Sequence, residues 1–113
     1  MGVFATSADN GKESLRPLRV AALKDGIYQA AKELVGDLPG WELVSDDAEG
    51  LVLTCRRAGG VLFGTAEIEI SVEGPDGIPS TTVNVRSETR GGLRSRDKKN
   101  VAEFMVPFHR RVC

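Results

Sequence analysis

The densest chemistry in the chain is the run Arg90-Gly91-Gly92-Leu93-Arg94-Ser95-Arg96, which leads into an amphipathic stretch beginning near Asp97. Guanidinium forks grip phosphate or carboxylate oxygens in pairs, glycine lets backbone amides approach an anion, and free N–H groups at a helix start favour negative charge. Arg86, Arg90, Gly91, Gly92 and Arg94 are therefore the candidate ligand-binding residues, for a small anion or a protein partner. Neither the Walker spacing nor a Rossmann glycine pattern accompanies them.

Other residue types point away from catalysis. Glu67 and Glu69 lie two apart, as an acid/base or Mg²⁺ pair would, but that spacing also suits a solvated strand face paired with Arg86. Asp46-Asp47 reads as turn chemistry, and Gly59-Gly60 as a flexible hairpin loop. His109 is the single histidine and has no ligand set around it in sequence. Cys55 falls on the apolar side of a strand, where a thiol is an inert small hydrophobe, and with Cys113 it makes neither a disulfide framework nor a metal spacing. The reading assigns no catalytic residue, no metal site and no cofactor. Nucleic acid is also excluded, because no aromatic side chain lies between residues 64 and 103 to stack on bases.

Charge is nearly balanced at −1 but unevenly placed. Residues 86–111 hold eight basic side chains against three acidic ones, whereas the first fifty hold nine acids and five bases. With 113 residues, 41% hydrophobic and 27% charged, the chain suits one globular domain. It shows no apolar run long enough to span a bilayer and no signal peptide, so the expectation is a soluble cytoplasmic protein.

The elements that must position these residues follow from periodicity. Residues 1–17 read as a loose arm, and 18–113 as a single domain. Leu23, Ile27, Ala30, Ala31, Leu34 and Leu38 recur at helical spacing until Gly36 and Pro39-Gly40 stop the helix. The period then becomes two. Trp41, Leu43 and Ser45 share a face, as do Leu51, Leu53 and Cys55, with Leu43 set opposite Leu53 and Trp41 opposite Cys55. Ala66, Ile68, Ile70 and Val72 alternate with Thr65, Glu67, Glu69 and Ser71; Thr81, Val83 and Val85 follow a Gly-Pro-Asp-Gly turn. Val85 is set opposite Ile68, and Arg86 opposite Glu67. A last helix from Asp97 carries Val101, Phe104, Met105, Phe108 and Val112, with Pro107 kinking or ending it. The result is an α+β domain in two layers, order (β)αββββα. It is an antiparallel four-stranded meander, with room for a fifth short strand at residues 18–22, and two helices on one face.

The stretch T-V-N-V-R-S-E-T-R-G-G with Asn100 beyond it resembles the signature of bacterial domain of unknown function family 1499, over about residues 23–108. Pro39-Gly40-Trp41, Asp46 and Leu62-Phe63-Gly64 resemble further parts of that pattern. Val85, Arg86, Ser87, Arg90, Gly92 and Asn100 match residue by residue, with Thr89 in place of a second serine. The family's acidic pair is reduced here to Glu67 beside Ile68, one residue is inserted after Gly92, and its Ser-Asp step becomes Ser95-Arg96. The resemblance implies no activity. Within the motif, Ser87 should face the helices and, with Arg90, anchor the loop on backbone carbonyls.

Three functions fit. The first is a noncatalytic domain binding an anion or partner through the arginine-rich loop. The second is a helix-grip-like enzyme or carrier with an apolar pocket between the sheet and Phe104, Met105 and Phe108. The third is a homo-oligomeric scaffold joined through the Trp41 or Val83 strand.

Overall fold

Alternation of apolar and polar residues makes a sheet that is oily on one side and wet on the other. A computed structural model describes residues 2–91 and 96–112. Within them one antiparallel sheet contains β1 (Gly2–Ala5), β2 (Leu18–Val20), β3 (Trp41–Asp47), β4 (Val52–Ala58), β5 (Thr65–Glu73) and β6 (Thr81–Arg90). The order is β1-β6-β5-β4-β3, and β2 also pairs with β6, beyond β1 along the same edge. Leu53, Cys55, Ile68, Ile70, Val83 and Val85 point inward and are almost wholly buried. Glu42, Arg56, Glu67, Glu69 and Arg86 point outward and are exposed.

Two long helices roof the oily side, as the pattern requires. Helix α1 (Lys24–Asp37) buries Ile27, Tyr28, Ala31, Leu34 and Val35. Its buried stripe is rotated from the expected one: Leu23 is half exposed, while Tyr28 and Val35 turn inward. The Tyr28 hydroxyl donates to Asp46, whose other carboxylate oxygen meets the Lys32 ammonium, so α1 is tied to the β3 end. Helix α3 (Asp97–Val112) buries Val101, Phe104, Met105 and Phe108, with Phe104 and Phe108 stacked at 4.8 Å. Pro107 does not end α3, which continues to Val112; packing of both flanks on the core outweighs the hydrogen bond Pro107 cannot donate. No helix among the described residues is long and apolar enough to cross a membrane.

Several expectations are corrected. The first seventeen residues are not a loose arm: β1 pairs with residues 86–89 of β6, and Leu15, in a 3₁₀ turn (Glu13–Leu15), is buried. The sheet thus has six strands, and the Val83 strand is no edge, because β1 and β2 cover it. The Trp41 strand is an edge, interrupted between Leu43 and Ser45 by a bulge that breaks the hydrogen-bonding ladder. That bulge makes Cys55 face Leu43 and Arg57 face Trp41, and leaves Leu43 and Ser45 exposed. In β5 and β6 the register is two residues from the expected one: Ile70 faces Val85, Ile68 faces Ser87, Glu69 faces Arg86 and Glu67 faces Glu88. A two-residue slip keeps every side chain on its face, so hydrophobic pattern alone cannot exclude it. Asp46 belongs to β3; Asp47 does the turn work, its Oδ1 accepting from the Glu49 and Gly50 amides at 3.2 and 3.1 Å.

Gly59-Gly60 does lie in the β4–β5 hairpin connection, where Ala58 faces Thr65, but the loop is helical. A single helical turn, α2 (Gly60–Phe63), joins β4 to β5, closed by the Gly59 amide donating to the Gly64 carbonyl at 2.6 Å. Gly64 has φ +69°, and a Cβ there would lie 2.6 Å from the Arg90 carbonyl oxygen and 2.7 Å from Gly91 backbone atoms. Only glycine lets α2 sit against the end of β6. We predict that Gly64→Ala costs about 1–3 kcal/mol in chemical denaturation, from left-handed backbone plus overlap. Gly36→Ala, in α1 with open space around it, should instead gain about 0.5–1 kcal/mol; equal effects at the two sites would contradict this packing.

Candidate functional site

Even-numbered residues of β6 face the wet side, so Arg86 and Arg90 come together there, on either side of Glu88. Arg86 donates to Glu88 at 3.2 Å, and Arg90 lies 3.6 Å from the same carboxylate. Glu69 stands across from Arg86 and Glu67 across from Glu88, so these guanidiniums sit among carboxylates on exposed strands. Gly91 follows with φ +74°, and a Cβ there would meet nothing within 4 Å. Gly92 and Arg94 lie outside the described residues.

Odd-numbered residues of β6 face the helices, and there the motif makes its second construction. Ser87 and Thr89 are buried, and both hydroxyls donate to Asp97 Oδ1 at 2.6 Å. Asn100 Nδ2 donates to the Ser87 hydroxyl at 3.3 Å. Ser87 therefore faces the helices as expected, but it anchors a carboxylate at the start of α3 and not a backbone carbonyl; Arg90 takes no part, being on the other face. Asp97 was visible in the sequence only as a helix start. Its role depends on Ser87 and Thr89 having the correct strand parity, and parity is what alternation reveals.

Pinning the first residue of α3 to β6 sets a cleft of about 490 Å³ between that helix start and β1. Its walls include Phe4, Phe63, Arg96, Lys98 and Lys99. The Lys98 ammonium lies 5.7 Å from the Phe4 ring centre, and the Arg96 guanidinium 5.2 Å from that of Phe63. Asp97, the acid at this cleft among the described residues, is 3% exposed and turned to Ser87 and Thr89. No ion pair to Arg96, Lys98 or Lys99 occurs among the described residues. Sequence reasoning counted these cations without placing them, and Phe4 was assigned to the arm; pairing of β1 with β6 is what brings it here.

Behind Phe63 and Arg96 lies a second, tight cavity bounded also by Arg57, Gly64, Ala66 and Asn100. Arg57, one of its walls, is held by Glu103. Arg57 donates to Glu103 through Nε at 2.7 Å and through a terminal nitrogen at 3.1 Å, and the Trp41 indole N–H donates to the same carboxylate. Burial pushes the Glu103 pKa up, but hydrogen bonds from Arg57 and Trp41, with the charges of Arg57 and Arg96, outweigh it and hold the group below the usual glutamate value.

Elsewhere the chemistry is quiet. Burial pushes the Cys55 thiol up to about 12, the inert state expected of it. His109 is part exposed, 3.9 Å from Glu13. No group of three metal-ligating side chains occurs among the described residues. Phe104 and Phe108, whose surroundings the helix-grip reading made the wall of an apolar pocket, are both fully buried and stacked on each other. A cleft of about 430 Å³ instead opens at the side of α3, between Met105, Val106, His109 and Arg110 on the helix and Lys12, Glu13, Ser14 and Leu18.

No family model matches the sequence, and no curated protein matches it. Among solved structures, the chain is similar to the one described as the crystal structure of Ara h 8.0201. Identity is 13%, 98% of each chain is covered, and the TM-score is 0.50. This likeness shows the fold alone, a Bet v 1-like arrangement of antiparallel sheet and helices.

Two outcomes follow from these contacts. Asp97→Ala strands two buried hydroxyl donors and frees the start of α3, and should cost about 2–4 kcal/mol of unfolding free energy; a loss under about 1 kcal/mol would show that the network does not hold the helix. Because the folded pKa of Glu103 is depressed, its contribution is present above the unfolded value of about 4.3 and is lost as pH falls through the folded value. Glu103→Gln should therefore lower stability at pH 7 by about 1–3 kcal/mol and flatten the acid limb of the stability curve. Parallel wild-type and variant curves below about pH 4.3 would refute the assignment.

Proposed function

We propose that this is a small noncatalytic binding domain whose ligand is anionic and sits in the basic cleft at the start of α3. The observation that carries the reading is one of charge placement. Arg96, Lys98 and Lys99 line a single cleft, while the carboxylate among them, Asp97, is consumed by Ser87 and Thr89 on the inner side. The cleft's exposed polar groups are thereby left cationic, and the helix start adds its own positive end. Arg90 ends β6 beside Gly64, next to the Phe63 wall of the cleft; Arg86, engaged with Glu88 farther along the wet face, contributes less. Arg86, Ser87, Arg90 and Asn100, which carry the resemblance to family 1499, lie near this end of β6 and α3, which supports reading the cleft as the feature such a family would share.

A second reading, a carrier for apolar ligands, is favoured by the cleft beside Met105 and Leu18. The two are separable because they use opposite ends of α3.

Titration with inorganic pyrophosphate, followed by amide chemical shifts at low and physiological salt, tests the first reading. Saturable shifts should centre on Phe4, Phe63, Lys98 and Lys99, weaken with salt, and lose roughly tenfold or more in affinity in a Lys98→Ala/Lys99→Ala protein. Arg90→Ala should keep the fold and bind less tightly, whereas Arg86→Ala should be close to wild type. Absence of saturation, or equal affinity in the double variant, refutes the site.

A further inference from the structure

Two buried polar atoms have no hydrogen-bond partner among the described residues, and their residues line the same small cavity. They are Arg96 Nε, a donor, and Asn100 Oδ1, an acceptor. Asn100 is 1% exposed and its Nδ2 is already given to Ser87, so the free oxygen is held in place by the motif itself. Buried orphans of this kind are rare, because each forfeits the hydrogen bonds it made in water.

Phe63 and Arg96 belong to the walls of both the inner cavity and the open basic cleft. The stacked Arg96–Phe63 pair is thus the partition between them. We propose that the ligand of the basic cleft is a small hydroxylated anion. Its charged group lies among Arg96, Lys98 and Lys99, and its hydroxyl reaches past the partition to accept from Arg96 Nε–H and donate to Asn100 Oδ1. This inference rests on the anion site above and specifies its ligand. A hydroxyl is the group that fits, because it accepts and donates through one atom. An ammonium can only donate, and it would face the Arg57 and Arg96 charges. A carboxylate can only accept, and would leave Asn100 Oδ1 unpartnered. Entry requires the Phe63 ring to swing away from the Arg96 guanidinium, a side-chain rotation that leaves Arg96 Nε beside Asn100 in the wall of the inner cavity.

The cations accept carboxylate and phosphate alike, so the test uses both in matched pairs: lactate against propionate, and glycerol 1-phosphate against propyl phosphate. Within at least one pair the hydroxylated probe should bind roughly tenfold or more tightly, because the partner without it leaves both protein atoms unpaired; the pair that shows the preference identifies the charged group. Asn100→Leu should erase the preference, so that the two members of the pair bind alike. Should that variant fail to fold, Arg96→Lys retains the charge, lacks the Nε donor, and should cut the preference on its own. Equal affinities within both pairs, or a preference untouched by Arg96→Lys, overturn the hydroxyl assignment while the pyrophosphate result stands. If pyrophosphate and all four probes fail to bind, both readings fall together.

Discussion

The molecule turns on a buried carboxylate at a helix start. Asp97 takes two hydroxyl hydrogen bonds from Ser87 and Thr89, side chains two residues apart on the inner face of β6, and Asn100 one turn later bonds back to Ser87. A carboxylate removed from water is stable only if such donors replace its hydration. The arrangement therefore fixes both where α3 begins and which side of it faces the sheet. From that anchor, Val101, Phe104, Met105 and Phe108 fall on the core, and Lys98 and Lys99 fall outside it.

A second tie acts from the far side of the sheet. Glu103 draws Arg57 from β4 and Trp41 from β3 onto the helix, so the edge strand is held although its own ladder is broken by a bulge. The two ties lie on either side of Asn100 in α3, and Asn100 and Arg57 line the tight cavity behind Phe63. A packed interior and an open basic cleft can thus be close neighbours, separated only by the Arg96–Phe63 stack.

Much of this was legible in the sequence. Alternation in β5 and β6 is strict, and it set every side chain on its correct face, including Glu67 outward and Ile68 inward. What failed was register, since a shift of two residues preserves parity and alters only which partners meet. The possible short strand at residues 18–22 is found at Leu18–Val20, but Gly2–Ala5 carries too few residues for a period to show; what assembles both is the free edge of β6, a long-range fact. The arginine-rich run was recognised as the place to look, but its members divide by parity: Arg86 and Arg90 face water, while Asp97 and Asn100 face inward and order the cleft. Phe63 and Gly64 were seen as part of a motif, and their work became clear only from how closely Gly64 meets the Arg90–Gly91 backbone.

Pro107 has a mechanical consequence. Lacking an amide hydrogen, it leaves the Glu103 carbonyl without its in-helix donor, just where the side chain of Glu103 is clamped to β3 and β4. The turn beyond Pro107 is therefore held by side chains more than by backbone: Phe108 is wholly buried in the core and Val112 packs against it, so that losing either would unravel the rear of α3 before the front.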